Sequence, residues 1–196
     1  MNRKAWLAAA IAAIGLLGAE QVTQGDLLRL VRNLFRAVEQ EQRRLPNTDE
    51  DFSGLARVLD GDTFDVGGVR VRMQGIDALE TEQSCNRRQG GRFACGEEAT
   101  RALTELIGGR PVTCEPDGSQ TYGRVVANCF VPRQGGGRVD LSEGMVRSGF
   151  AFDCPRFSNG RYAGVEAEAR AAGRGAWAGR FQYPWSFRDR AGACGR

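Results

Sequence analysis

Gly67-Gly68 separates two short runs of alternating apolar and polar residues, and that arrangement constrains the fold more than any other feature of the chain. Paired glycines reach the positive φ angles that a two-residue hairpin turn demands. After the turn, Val69, Val71 and Met73 share one face of a period-two pattern, while Arg70, Arg72 and Gln74 share the other. Before it, Thr63 to Val66 supplies the partner strand. Asp60-Gly61-Asp62-Thr63 turns the chain from a further strand over Leu55 to Leu59. Three short strands therefore follow one another. Asp62 stands at one mouth of this unit, and Asp77 and Glu80 lie just past its last strand. Hard cations such as calcium take carboxylate and carbonyl oxygens converging from separate segments, and this unit supplies such oxygens.

Downstream, Thr81 to Ala94 is polar and glycine-rich and reads as a surface loop. Glu97 to Ile107 reads as a helix with Ala99, Leu103, Leu106 and Ile107 on one face, stopped by Gly108-Gly109. Pro111 to Glu115 and Gly123 to Val131 read as two strands. Leu141 to Ser148 is a short helix with Asp140 as its N-cap. Phe150 to Phe152 adds an edge strand, and Arg161 to Ala172 forms a helix ended by Gly173 and Gly175. Three strands, a helix, two strands and further helices give the element order of an OB barrel.

The 196 residues allow one domain with appendages, and 41% apolar content is enough for a packed core. Residues 1–19 combine a short basic start with an apolar run from Ala5 to Ala19, the pattern of a signal peptide or a membrane anchor. Leu17 spoils the small-residue cleavage pattern, which tilts the reading toward a retained anchor facing outside the cytoplasm. Gly25 to Leu45 carries a helical stripe of Leu27, Val31, Leu34, Val38 and Leu45. That stripe suits self-association, a membrane surface or docking on the domain. The chain is thus read as segment 1–19, helix and linker 20–53, domain 54–179 and tail 180–196. In the tail, Phe181, Tyr183, Trp185 and Phe187 alternate and are followed by Arg188 and Arg190. Packing of these rings against the domain is expected over base stacking.

There is no histidine, which excludes histidine bases, Ser-His triads and His-ligated zinc. Formal charge is +3, and Lys4 is the single lysine. The arginine bias reflects either codon usage or phosphate recognition by planar guanidinium groups. Six cysteines form no Cys-x-x-Cys pair, and an even count behind an export-type segment points to disulfides. The expected pairs are Cys85–Cys95, Cys114–Cys129 and Cys154–Cys194.

Asp60 to Thr63 (D-G-D-T), Arg72 to Glu80 (R-M-Q-G-I-D-A-L-E) and Tyr122 to Arg124 (Y-G-R) occur in the order found in the staphylococcal nuclease family, which the stretch from Leu55 to Gly179 resembles. The resemblance implies an α+β fold with a mainly β core, a five-stranded OB-fold barrel with about three packed helices. It also implies a calcium-dependent endonuclease acting on DNA or RNA. In that reading Asp62, Asp77 and the carbonyl of Ala78 hold Ca2+, and Glu80 orients or deprotonates the attacking water. Arg72 and Arg124 stabilise the phosphate, and Tyr122 contacts the substrate near its terminal phosphate. Three positions depart from the family pattern. Ala78 stands for threonine, Leu79 for proline, and Ser119-Gln120-Thr121 precedes Tyr122 where an aspartate is usual. The alternative is a catalytically silent OB module binding nucleic acid or protein in the cell envelope. One geometric question stays open: Arg72 and Asp77 are an odd number of positions apart, so a regular strand would send them to opposite faces.

Overall fold

Gly67 and Gly68 adopt φ of +58° and +85°, and the hairpin they close pairs β3 (Thr63–Val66) with β4 (Val69–Met73). The computed structural model describes residues 29–34, 36 and 50–195. The apolar run 5–19, most of the 25–45 stripe and the linker up to residue 49 lie outside the described residues. Residues 29–34 and 36 are helical, and Val31 and Leu34 of the stripe are exposed there. No helix among the described residues is long and apolar enough to cross a membrane. The chain divides into two units, Met1–Leu45 and Pro46–Arg196.

In the second unit, β1 (Phe52–Gly54) and β2 (Ala56–Val58) are two halves of one strand, separated only by Leu55. The remaining barrel strands are β8 (Val112–Thr121) and β9 (Arg124–Pro132), and the sheet order is β1-β8-β9-β4-β3-β2. Because β1 and β2 occupy opposite ends of that order, the sheet curls back on itself. The result is the five-strand arrangement of an OB fold. All pairings in it are antiparallel except β4 with β9, which is parallel and sets Arg72 opposite Val126. Phe64, Val66, Val71, Met73, Val112 and Ala127 fill the interior with essentially no exposure.

Between β4 and the first helix of this unit lie β5 (Ile76–Ala78), β6 (Cys85–Arg87) and β7 (Arg92–Phe93). The segment read as a plain loop from Thr81 to Ala94 is thus partly strand. β6 pairs with β7 and with β12 (Gly179–Arg180), and the Cys85–Cys95 bridge cinches it. Helix α1 (Cys95–Ile107) buries Ala99, Leu103 and Ile107 and ends on Gly108 at φ +58°. β8 runs six residues past its expected end at Glu115. The ladder survives the Pro-Asp-Gly sequence through a bulge between Pro116 and Gln120, where Asp117 Oδ1 accepts the Ser119 amide at 2.9 Å.

After β9, β10 (Arg138–Asp140) leads into α2 (Leu141–Ser148), whose N-cap Asp140 accepts the Glu143 amide at 3.1 Å. β11 (Ala151–Asp153) pairs with β5. The short α3 (Pro155–Ser158) and then α4 (Ala163–Ala171) follow, the latter two residues later than expected because Tyr162 turns inward and is buried. The tail packs as anticipated. Phe152 stacks on Phe181 at 4.9 Å and meets Tyr183 and Trp185 edge-on, and α5 (Pro184–Phe187) carries Trp185 into the core. Phe187 is the exposed exception. All three expected disulfides are present.

Candidate active site

The turn before β3 delivers Asp62 to the barrel mouth. Leu59 and Asp60 amides both donate to Thr63 O, and Asp60 Oδ1 accepts the Asp62 amide at 3.0 Å. Gly61 permits this close packing: a Cβ there would lie 2.7 Å from that of Ala78 and 3.0 Å from that of Ala99. Burial pushes the Asp60 carboxyl above the usual carboxylate range, against hydrogen bonds from Thr63. Asp62 itself is buried. Its Oδ2 accepts the Ala78 amide at 2.8 Å, and its Oδ1 accepts the Thr63 hydroxyl at 3.0 Å.

β4 ends at Met73, and Gly75 at φ +79° redirects the chain into β5. This break answers the parity problem. Arg72 and Asp77 come together, with Arg72 Nη2 at 2.6 Å from Asp77 Oδ1. Arg72 Nη1 pairs with Asp62 Oδ1, so one guanidinium joins a carboxylate from the turn before β3 to one from β5. The Arg72 side chain is only 16% exposed. Burial pulls its guanidinium below the usual value, and the charge of Asp77 opposes that pull.

Leu79 N–H donates to Phe150 O at 3.1 Å across the β5–β11 ladder. The pair Ala78 and Ala151 therefore occupies a register position where amide and carbonyl both point away from the partner strand. The Ala78 amide accordingly serves Asp62, and its carbonyl faces the same edge. Glu80 follows at the cleft, its side chain 30% exposed and paired through Oε1 with Arg188 Nη1. Arg188 Nη2 also lies 2.6 Å from Asp77 Oδ2. Burial works to lower the Arg188 guanidinium, but the charges of Asp77 and Glu80 raise it overall.

Arg124, at the start of β9, reaches the Thr63 hydroxyl at 3.4 Å and so joins the Asp62 network indirectly. Its Nε donates to Thr121 O at 3.2 Å. Tyr122 holds φ at +49° and is 79% exposed at the rim, with the guanidinium groups of Arg124 and Arg190 5.9 and 5.3 Å from its ring centre. All seven residues singled out from the sequence, Asp62, Arg72, Asp77, Ala78, Glu80, Tyr122 and Arg124, line one cleft of about 900 Å³. Arg188 and Arg190 line it too. The sequence signal for them was only an Arg-x-Arg after aromatics, which read as part of a packing tail. Among the described residues no three acidic, cysteine or histidine side chains converge as a metal cage.

The model of the family described as "Staphylococcal nuclease homologue" matches residues 70–179. The chain belongs to that family. Among similar proteins, the succinoglycan biosynthesis protein ExoI of Rhizobium meliloti (strain 1021) is 36% identical over 129 residues, covering 65% of each chain. A probable staphylococcal-like nuclease of Oryza sativa subsp. japonica is 32% identical over 121 residues, 61% of this chain and 29% of its own. A probable endonuclease of Clavispora lusitaniae is 34% identical over 199 residues, covering 83% of this chain and 81% of that protein. The chain spans less than two thirds of the Rhizobium and rice relatives. The staphylococcal nuclease match begins after Asp62 and ends before Arg188, so the cleft is completed by residues on both sides of it.

Proposed function

We propose that this cleft hydrolyses phosphodiester bonds of DNA or RNA as a calcium-dependent endonuclease. The supporting observation is the convergence of two strand-end carboxylates, Asp62 and Asp77, on Arg72, with Glu80 and Arg124 lining the same cleft. Asp62, Asp77 and Ala78 line one cleft and supply carboxylate and carbonyl oxygens, the donor type calcium takes, and the ion would compete with Arg72 and Arg188 for the two carboxylates. When bound, the ion would add positive charge beside the phosphate and offset the charge that grows on its oxygens.

The chain's own residues carry the rest. Arg72 and Arg124 bind the scissile phosphate, and planar guanidinium groups suit its paired oxygens. Glu80 takes a proton from the attacking water, whose oxygen forms the new bond to phosphorus as the bond to the leaving oxygen breaks. The guanidinium groups hold more tightly to the transition state than to the substrate, because more charge sits on the phosphate oxygens there. Tyr122, exposed at the rim, contacts the substrate beside the terminal phosphate. Three disulfides suit an oxidising compartment, so the reading includes a location outside the cytoplasm.

One observation favours the second reading, a silent OB module of the envelope: the Rhizobium relative is named for succinoglycan biosynthesis. Incubating purified protein with plasmid DNA, with calcium or with chelator, separates the two. Cleavage only with calcium is expected. Glu80→Gln should lower turnover by ~10²–10⁴-fold, the usual contribution of a general base. A Glu80→Gln protein that cuts as fast as the parent at saturating calcium overturns the assignment. A parent that binds DNA without cutting it supports the silent module.

A further inference from the structure

The tail lies beyond the segment matched by the family, which ends at residue 179, yet it reaches the centre of the cleft. Arg188 contacts Asp77 with one terminal nitrogen and Glu80 with the other. The segment carrying it is held firmly. Trp185 is buried, the Arg190 amide donates to Trp185 O at 2.7 Å, and Cys194 is cross-linked to Cys154. Arg156 N–H donates to Cys194 O at 3.2 Å just after β11, the strand that pairs with β5. A second link runs through Gln83: its Oε1 accepts the Glu80 amide at 2.8 Å, and its Nε2 donates to Gln182 O at 3.0 Å. Backbone and carboxylate of Glu80 are therefore each tied to the tail, directly or through one side chain.

Leu79 stands where the family carries proline, so φ at the residue before Glu80 is not fixed by a ring. A glutamate with a free χ3 and a half-open surface needs some other restraint to present one oxygen to a reacting water. A charge-assisted contact from a guanidinium that is itself anchored on Asp77 provides it. Resting on the reading of Glu80 as the base, we propose that Arg188 is a positioning residue for Glu80, and that the Cys154–Cys194 bridge keeps the tail docked so that Arg188 can act. The active site is then incomplete without residues past 180.

The test compares the full-length parent with Arg188→Ala, Arg188→Lys and the Cys154→Ser/Cys194→Ser double variant. Each is first checked for folding by near-ultraviolet circular dichroism. On single-stranded DNA with calcium, Arg188→Ala should lose about 10²-fold in kcat, the scale of a misplaced catalytic group. KM should stay within about twofold, because the lost contact is not to substrate. Arg188→Lys should recover part of the loss. The double cysteine variant should lose kcat as well, and Arg188→Ala added to it should cost less than in the parent, since both changes remove one restraint. An unchanged or higher kcat in Arg188→Ala overturns the proposal, the higher value marking a blocking contact. A raised KM with kcat intact also overturns it and assigns Arg188 to phosphate binding. An independent readout is the carboxyl carbon resonance of Glu80, identified by its loss in Glu80→Gln. It should shift in Arg188→Ala, and an unmoved resonance overturns the contact. A parent that does not cleave defeats the nuclease reading, and with it the role of Glu80, while this resonance still decides whether Arg188 holds the side chain.

Discussion

Arg72 and Asp77 meet at 2.6 Å although five positions separate them, because the strand that carries Arg72 stops and a different one begins. β4 belongs to the barrel, whereas β5 pairs with β11. Gly75, at φ +79°, makes the change of direction, and a Cβ on it would lie 3.1 Å from both Ser158 Cβ and Tyr162 Cε2. Left-handed backbone and tight packing therefore coincide at one residue.

Gly75→Ala should destabilise the protein by about 1–3 kcal/mol, the range for a strained non-glycine residue. It should also reduce turnover, because Asp77 and Glu80 take their directions from this break. Urea unfolding followed by circular dichroism measures the first effect. A midpoint equal to the parent's would show that the turn tolerates a side chain and that the account of the break is wrong.

Asp62 and Arg72 share a contact, yet their substitutions should have different signatures. Asp62→Asn keeps an acceptor for the Ala78 amide but removes the charge a hard cation requires, so half-maximal calcium should rise by about tenfold or more. Arg72→Lys keeps a cation but loses the fork that reaches Asp62 and Asp77 together, so turnover at saturating calcium should fall ~10²–10³-fold, as for loss of a transition-state donor. Calcium titrations of both variants decide the matter. An unchanged calcium requirement in Asp62→Asn removes that residue from the ligand set.

That these residues line one cleft was legible because turn chemistry and alternation put each at a strand end, and the resemblance of three motifs to one family, in the family's order, singled them out together. Arg188 was not, because its contact with Glu80 spans 108 positions and nothing local marks it. The tail's rings were correctly read as packing, and that reading hid the arginine they deliver. β8 was cut short at Glu115 since Pro-Asp-Gly signals a turn, whereas pairing to β9 carries the strand through a bulge. β6 and β7 are too short for periodicity to show, and the third strand of their sheet, β12, lies about 90 residues further along the chain. Barrel closure through Leu55 is likewise a tertiary fact: the strand was read as starting at Leu55, and Phe52 and Ser53 were read as linker, whereas Phe52–Gly54 pairs with β8 and Ala56–Val58 with β3 on either side of that one exposed residue.

Cys114 and Cys129 sit directly opposite on β8 and β9, with Cα atoms 4.1 Å apart and both side chains fully buried. Their sequence separation is 15. Replacing both by alanine should cost about 3 kcal/mol by relaxing the unfolded chain, in the loop-entropy account. Neither residue lines the cleft, so turnover at a temperature where the variant is folded should match the parent. Guanidinium unfolding of the two proteins under nonreducing conditions tests this. Equal stability would mean that the bridge adds nothing beyond the ladder around it.

Tyr162 offers a test of the packing beside Gly75 that is independent of activity. Its ring is buried and its hydroxyl donates to Asp140 Oδ2 at 3.3 Å, the same carboxylate group that caps α2 and pairs with Arg161. Burial pushes the phenol from 10.0 up to about 12, and the charge of Asp140 adds to the rise. In the unfolded chain the proton leaves near the ordinary value, while the folded protein keeps it. The unfolded state thus binds fewer protons between pH 10 and about 12, and stability falls as pH climbs through that window. Below it, the contribution is fully present. Subtracting the phenolate absorbance titration of Tyr162→Phe from that of the parent isolates this one group. A difference curve with its midpoint near pH 12 is expected, together with a weaker alkaline loss of stability in the variant. A midpoint at the ordinary tyrosine value would mean that water reaches the hydroxyl and that the pocket around Gly75, Ser158 and Tyr162 is looser than described.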